Sequence, residues 1–414
     1  MNRREVFGLA TAAVALGMTS RAGAEGPPIK IGMSMAMTGG LAGGGKTSLL
    51  GIEIWRDDVN ARGGLLGRKV ELVVYDDKSS ASETPAIYSK LLDVDKVDLL
   101  FAPYATVPTA PIMPLVKQRG MLLMGNFSFQ VNSKVGHDMY FNNAPWGPAD
   151  AWASAFLDLG QKAGGKTVAL LTADQEFAQN LAKTAREVAT KRNMPIVFDQ
   201  AYPPNTVEFS SIIRALKAAR PDIVYVASYP PDSAGILRAV NEIGIGDNVK
   251  LFGGGMVGLQ FGPVMENLGS LLNGVVNFNT WLPEPAMYFD GTKAFFETYS
   301  KRAVEAKVDP LGYYLAPFGY AEGQLIEAAV KATGSLDQKA IAKYLRENEI
   351  ATIVGPIAFS ADGERKVTAT LQAQFQGIVD KNMDQFKKPG KQVILFPEKL
   401  VSGKLITPFE DARK

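Results

Sequence analysis

From residue 29 onward, short apolar runs alternate with longer stretches in which apolar positions recur at helical spacing. Strands buried on both faces read as continuous apolar runs, while the helices that cover them keep a polar face, so this alternation marks a parallel sheet with crossover helices. The pattern predicts strands over 29–37, 69–77, 97–103 and 120–126, with helices over 46–61, 82–93 and 106–118 between them. In the first of these helices Leu49, Ile52, Trp55 and Val59 fall near one face.

After Asn142 the rhythm restarts, with strands predicted over 166–174, 194–202, 221–229 and 249–255 and helices over 178–192, 210–219 and 233–243. Two strand-helix arrays in one chain predict an α/β protein of two doubly wound lobes. A third segment, from Trp281 through helices over 292–306 and 316–333 to 355–363, has too few strands for a lobe of its own. It must complete the other two, so the chain is expected to cross between lobes more than once. The expected division is a first lobe of 27–145 with 281–358 and a second of 146–280 with 359–390. The remainder, 391–414, is too apolar for a free tail and is expected to lie against a lobe. Trp146 and Trp281 flank two of the crossings and are expected to pack the hinge.

Composition narrows the chemistry. The 414 residues include no cysteine and a single histidine, His137. Disulfides, thiolate metal sites and cysteine nucleophiles are excluded, and most zinc sites and histidine-based triads go with them. His137 lies in a polar stretch and is expected on a surface or loop. The pairs Asp57/Asp58 and Asp76/Asp77 are adjacent, so their side chains do not converge, and there is no Gly-x-Ser-x-Gly nucleophile turn. Binding rather than catalysis is expected, with no cofactor and no metal.

The amino terminus reads as an export signal. Arg3 and Arg4 precede the apolar run 7–18, too short for a bilayer, and a small-x-small site follows at Ala22, Gly23 and Ala24. Cleavage is expected after Ala24, and the paired arginines fit the twin-arginine route as well as the general one. The leader carries the whole formal charge of +2, which leaves a neutral mature chain with no basic patch for nucleic acid. A soluble periplasmic protein is expected, without a cysteine for lipid attachment.

One local motif argues differently. Gly40 to Thr47 satisfies Gly-x-x-x-x-Gly-Lys-Thr between a predicted strand and a predicted helix, the context of a nucleotide-binding P-loop with Lys46 on the phosphates. Against it stand export to a compartment without ATP, a pair of aspartates on the wrong strand, and no candidate residue to position water.

Several blocks in collinear order then carry a resemblance: IKIGMSMAMTGG (29–40), DDVNARGGLLGRKVELVVYDDKSS (57–80), FAPYATVPTAPIMPLVKQRGMLLMG (101–125), FSSIIRALKAARPDIVYVASYPPDSAGILR (209–238) and GPIAFSADGERK (355–366). Together they resemble the type I periplasmic solute-binding proteins of the leucine/isoleucine/valine group. The resemblance implies two Rossmann-like lobes joined by three crossovers, closing on a ligand delivered to an inner-membrane ABC permease, or, if the fold serves as a sensor, to a receptor. The working unit is expected to be a monomer. It also implies a site. Tyr104, Ala105 and Thr106 with Phe127, Ser128 and Phe129 match the loops that hold the ligand carboxylate, Phe177 and Tyr229 match aromatics that cover it from the second lobe, and Phe318 matches a further contact.

Two departures bear on the ligand. Amino-acid binders of the group place an acidic residue where this chain aligns Gly255, to pair with the ligand's ammonium, and an aromatic where it has Gly44. A buried ammonium without a counter-charge costs several kcal/mol. The expected ligand is therefore a small carboxylate with an aromatic or branched apolar body. A branched-chain amino acid remains open if Asp174, Glu176 or Asp232 supplies the charge, although each reads as a solvated surface residue.

Overall fold

A computed structural model describes residues 26–204 and 206–414; the export signal and its cleavage site lie outside the described residues. The first lobe holds β1 (Ile29–Met35), α1 (Ala42–Ala61), β2 (Val70–Asp76), α2 (Thr84–Asp93), β3 (Leu99–Tyr104), α3 (Thr106–Thr109), α4 (Met113–Gln118), β4 (Leu123–Asn126) and β5 (Tyr140–Asn142). Its strands are all parallel in the order β2-β1-β3-β4-β5. The second lobe begins with α5 (Ala151–Lys162), β6 (Val168–Ala173), α6 (Glu176–Lys191), β7 (Ile196–Tyr202), α7 (Ser210–Ala218), β8 (Ile223–Ser228), α8 (Pro230–Ile243), β9 (Leu251–Met256), α9 (Gly262–Leu268) and β10 (Val276–Asn279). Strands β6 and β8 are buried at every position, which is why they read as unbroken apolar runs. Helix α6 buries Phe177, Leu181, Ala185, Val188 and Ala189 along one stripe, the amphipathic cover that such strands need.

The chain then returns to the first lobe as α10 (Thr292–Ala306), α11 (Ala316–Thr333), α12 (Gln338–Glu347) and the small ladder β11 (Ile350–Thr352) with β12 (Gly355–Ile357). Helix α11 lies directly on α1. A Cβ on Gly51 would sit 2.1 Å from the Ala316 carbonyl, and one on Gly323 1.9 Å from the Trp55 ring, so glycine at those positions sets the helix spacing. Trp55 Nε1 donates to Glu327 Oε2 at 3.0 Å across the same seam.

A third crossing leads to β13 (Leu371–Phe375) and β14 (Gln392–Phe396). Both pair antiparallel at the edge of the second sheet, whose order is β14-β13-β10-β9-β8-β6-β7. Part of 391–414 thus enters the sheet itself, and Phe409 beyond it packs on Phe252 with ring centroids 5.3 Å apart. No helix of the described residues is long and apolar enough to cross a membrane.

Candidate functional site

In open α/β sheets ligands bind outside the carboxyl ends of the strands, and here those ends face each other across the lobes. Tyr104 closes β3, and the turn after it puts Ala105 at φ +84° before Thr106 starts α3. Phe127 follows β4 at φ +57°, a left-handed conformation that a bulky residue adopts only when its surroundings enforce it. The enforcement is visible, since the Phe127 ring meets Trp146, Tyr314 and Phe318 edge-on at centroid distances of 5.1, 5.1 and 4.9 Å. The Thr106 hydroxyl accepts from the Phe129 amide at 2.9 Å and so ties the two loops together. From the second lobe come Phe177 in the first turn of α6, Tyr229 at the head of α8 and Val257 after β9.

These residues, with Leu41 and Tyr314, enclose a cleft of about 10 Å³, at the limit for a single water. The lobes are closed on one another, and any solute must part them. The lining carries neither a carboxylate nor a cationic side chain. Its polar groups are hydroxyls and backbone. Burial pushes the phenols of Tyr104 and Tyr229 well up, so both stay protonated donors at neutral pH. The Tyr229 hydroxyl has no hydrogen-bond partner among the described residues.

Of the residues expected at the site, Tyr104, Ala105, Thr106, Phe127, Phe177 and Tyr229 line the cleft. The other four stand elsewhere. Ser128 is turned beneath its loop, its hydroxyl 2.5 Å from that of Tyr140 and its carbonyl accepting from Trp146 Nε1. Phe129 and Phe318 form a second layer of rings behind the wall, Phe129 reaching Phe177 across the lobes at 6.2 Å. Gly255 lies within β9, where a Cβ would meet the Val226 carbonyl and Leu181. The cleft position after that strand is Val257, two residues on. Sequence reasoning missed Val257, Leu41 and Tyr314; a glycine run offers no side chains to set register, and the other two stand in loops.

The acids that could have paired with an ammonium do not reach the cleft. Asp174 and Glu176 are exposed. Asp232 is buried, contrary to expectation, because it caps α8. It accepts from the Tyr229 amide and from the Tyr202 hydroxyl, and burial raises its pKa. His137 is likewise buried in its loop, Nε2 set 2.9 Å from the Met121 carbonyl.

The P-loop reading fails on geometry. A phosphate cradle needs a loop with free amides, whereas Ala42 already begins α1 and the Gly45 amide donates to the Leu41 carbonyl at 3.0 Å. The glycines serve close packing: a Cβ on Gly45 would lie 2.1 Å from the Ala36 carbonyl, and one on Gly44 2.4 Å from the Tyr104 ring. Lys46 points to solvent.

Two hinged α/β lobes with a closed, neutral cleft at their facing strand ends define a binding protein that traps a small solute. The periplasmic binding protein family model matches residues 28–380, and the chain belongs to that family. The Leu/Ile/Val-binding protein of Escherichia coli (strain K12) is 25% identical over 358 residues, covering 85% of this chain and 92% of that protein. An amino acid binding protein of Pseudomonas aeruginosa is 23% identical over 372 residues, covering 88% and 94%. Among solved structures, the branched-chain amino acid transporter protein LivJ of Streptococcus pneumoniae in complex with isoleucine superposes with a TM-score of 0.73 at 20% identity, covering 89% of this chain and all of that one. A solute binding protein of an ABC transporter from R. palustris, in complex with benzoate, superposes at 0.72 with 20% identity, covering 91% of this chain and all of that one. Both share the fold.

Proposed function

We propose that this chain is the substrate-binding component of an ABC importer, capturing a small carboxylate-bearing solute by closure of its lobes. The observation that carries the reading is a cleft walled from both lobes by Tyr104, Thr106 and Phe127 on one side and Phe177, Tyr229 and Val257 on the other. Contacts to both sides favour the closed state, which a membrane permease can then distinguish from the open one. Its work is binding rather than catalysis.

The neutral lining narrows the solute. With Val257 where an acid would meet an α-ammonium, an aromatic or branched aliphatic acid without that group fits better than leucine. The benzoate complex of the R. palustris relative offers a precedent in the fold, and the Leu/Ile/Val binders the competing one. Export with cleavage after Ala24, a periplasmic location and action as a monomer complete the proposal.

A thermal-shift series on the mature protein tests it, because ligand at about 100 times its dissociation constant adds roughly 2.7 kcal/mol of stability. Benzoate or 4-methylpentanoate should raise the unfolding temperature more than L-leucine does. A larger shift with L-leucine would overturn the ligand assignment, and no shift with any of the three would overturn the choice of solute class.

A further inference from the structure

Two spaces larger than the cleft lie beside it. On the hinge side a cavity of about 620 Å³ is lined by Phe129 and Trp146 and by Glu364 and Arg365 of the third crossing. A Cβ on Gly363 would meet the Tyr140 carbonyl at 1.8 Å, so that crossing is pressed on β5 and turns both charges inward. Arg365 Nε and Nη2 and Glu364 Oε1 are shut from solvent, and so from any solute in the cavity. The second space is a groove of about 390 Å³ walled from both lobes, a volume within the range of small-molecule sites.

The groove continues the cleft along three stretches of chain. Leu41 lines the cleft between Gly40 and Ala42, which line the groove. Tyr229 of the cleft precedes Pro230 of the groove, and Val257 and Phe261, at the two ends of one short turn, line the cleft and the groove respectively. Where the two spaces meet, the Phe261 ring stands edge-on to that of Tyr314 with centroids 5.6 Å apart, so side chains rather than backbone make that part of the partition. The groove presents apolar surface to solvent: Gly43 and Pro263 are exposed, and Ala42, Pro230, Val264 and Val308 are half-buried. Lys46 and Lys307 stand exposed at its rim.

The groove also survives closure. Asp309, between α10 and α11, accepts from the Gly262 amide of the second lobe at 2.8 Å and from the Leu311 amide at 2.9 Å. The lobes are thus clasped beside the groove, yet it stays open. Two glycines keep it so. Gly44 and Gly45 are demanded by packing, but Gly40 and Gly43 take no left-handed dihedral, and a Cβ on either would meet only Pro231 or Phe261 of the opposite lobe, at an ordinary 3.9 Å. Glycine is a poorer helix former than alanine, and neither conformation nor close contact asks for it at Gly43 in the first turn of α1. What it leaves is room between the lobes for something other than the protein.

We propose that the solute site is bipartite: the carboxylate and the group next to it part the aromatic cleft, and an apolar tail runs on past Phe261 into the groove. The proposal rests on the carboxylate reading above and sharpens it, from small acids in general to elongated ones with an apolar far end. Each methylene of the tail buried against Pro263, Val264 and Val308 adds affinity.

Isothermal titration of the mature protein with benzoate and 4-butylbenzoate tests it. The variants are Gly43→Leu and Gly40→Leu, whose side chains fill the groove from exposed positions. The butyl acid should bind the wild type about tenfold or more tightly than benzoate. At least one variant should weaken the butyl acid by about tenfold or more while changing benzoate by less than about threefold. A butyl acid no tighter than benzoate, or one unmoved by both variants, would overturn the tail's place in the groove and leave the carboxylate reading standing. Equal losses for both acids would do the same, since the glycines would then serve only to let the lobes close. Binding of neither acid to the wild type would overturn the bipartite site together with the solute class beneath it.

Discussion

The cleft and the hinge-side cavity are close neighbours with opposite designs. The cleft is neutral, ringed by aromatics and closed to about 10 Å³, while the cavity holds about 620 Å³ and a buried guanidinium and carboxylate. One wall of rings separates them, with Phe127 on the cleft side and Phe318 and Trp146 behind. The difference shows that shape and charge have been divided: the aromatic surface at the facing strand ends carries no charge, and the charge is stored where the lobes pivot.

The largest expected effect comes from removing that wall. Phe127→Ala deletes a ring that touches three other aromatics, and should cost about 3–5 kcal/mol of stability, measured by urea unfolding. A loss under about 1 kcal/mol would mean that the wall is loosely packed and that cleft and cavity are one space.

Glu364 provides the next test. Burial, reinforced by Asp362 and opposed by the hydrogen bond from Asn142, lifts its pKa to about 8. Arg365 is pushed down by burial to about 9 and stays charged over the range concerned. A carboxyl raised in the folded state stabilises the fold fully below its unfolded pKa near 4.5 and loses that contribution as pH climbs toward 8. The protein should therefore weaken between pH 5 and pH 8, by up to about 1.4 kcal/mol per pH unit from this group. Glu364→Gln should flatten that slope. An equal slope in the variant would show that the carboxyl is not held in its neutral form.

How much of this was legible beforehand depended on what each residue does for the pattern. The long parallel strands announced themselves because both faces are buried. Strand β13 did not, since Gln372 and Gln374 interrupt its apolar run. Gln374 is satisfied inside by the Gly274 and Ile406 carbonyls at 3.1 and 2.8 Å, a pairing visible only once the sheet exists. The aromatic cleft residues could be placed by resemblance, but the glycine run of β9 hid a register error of two, from Gly255 to Val257. Glu364 and Arg365 stand in a stretch, SADGERK, that has the composition of a solvated turn. Only the approach of Gly363 to Tyr140 shows why those charges face inward.

A smaller effect is expected at Tyr229. Its hydroxyl is buried and unpartnered, so Tyr229→Phe should leave stability unchanged or raise it by about 1 kcal/mol. Solute affinity in the cleft should fall by about tenfold if the hydroxyl donates to a carboxylate. Unaltered affinity would leave recognition in the cleft to shape alone, sharpening its difference from the charged cavity.

The smallest effect is expected at Lys46, and its smallness is informative. The lysine completes a phosphate-loop pattern, yet it is exposed on a helix whose Ala42 and Gly45 amides already donate to the Gly39 and Leu41 carbonyls. It lines a groove with Pro230, Phe261 and Asp309 beside the cleft rather than the cleft itself. Lys46→Ala should shift stability by less than about 0.5 kcal/mol, as surface substitutions do, and leave carboxylate binding as it was. ATP with magnesium should not stabilise either form. A nucleotide shift that vanished with Lys46→Ala would move recognition from the aromatic cleft to the head of α1, and the packing of Gly44 and Gly45 against Tyr104 and Ala36 would then have to open to admit a phosphate.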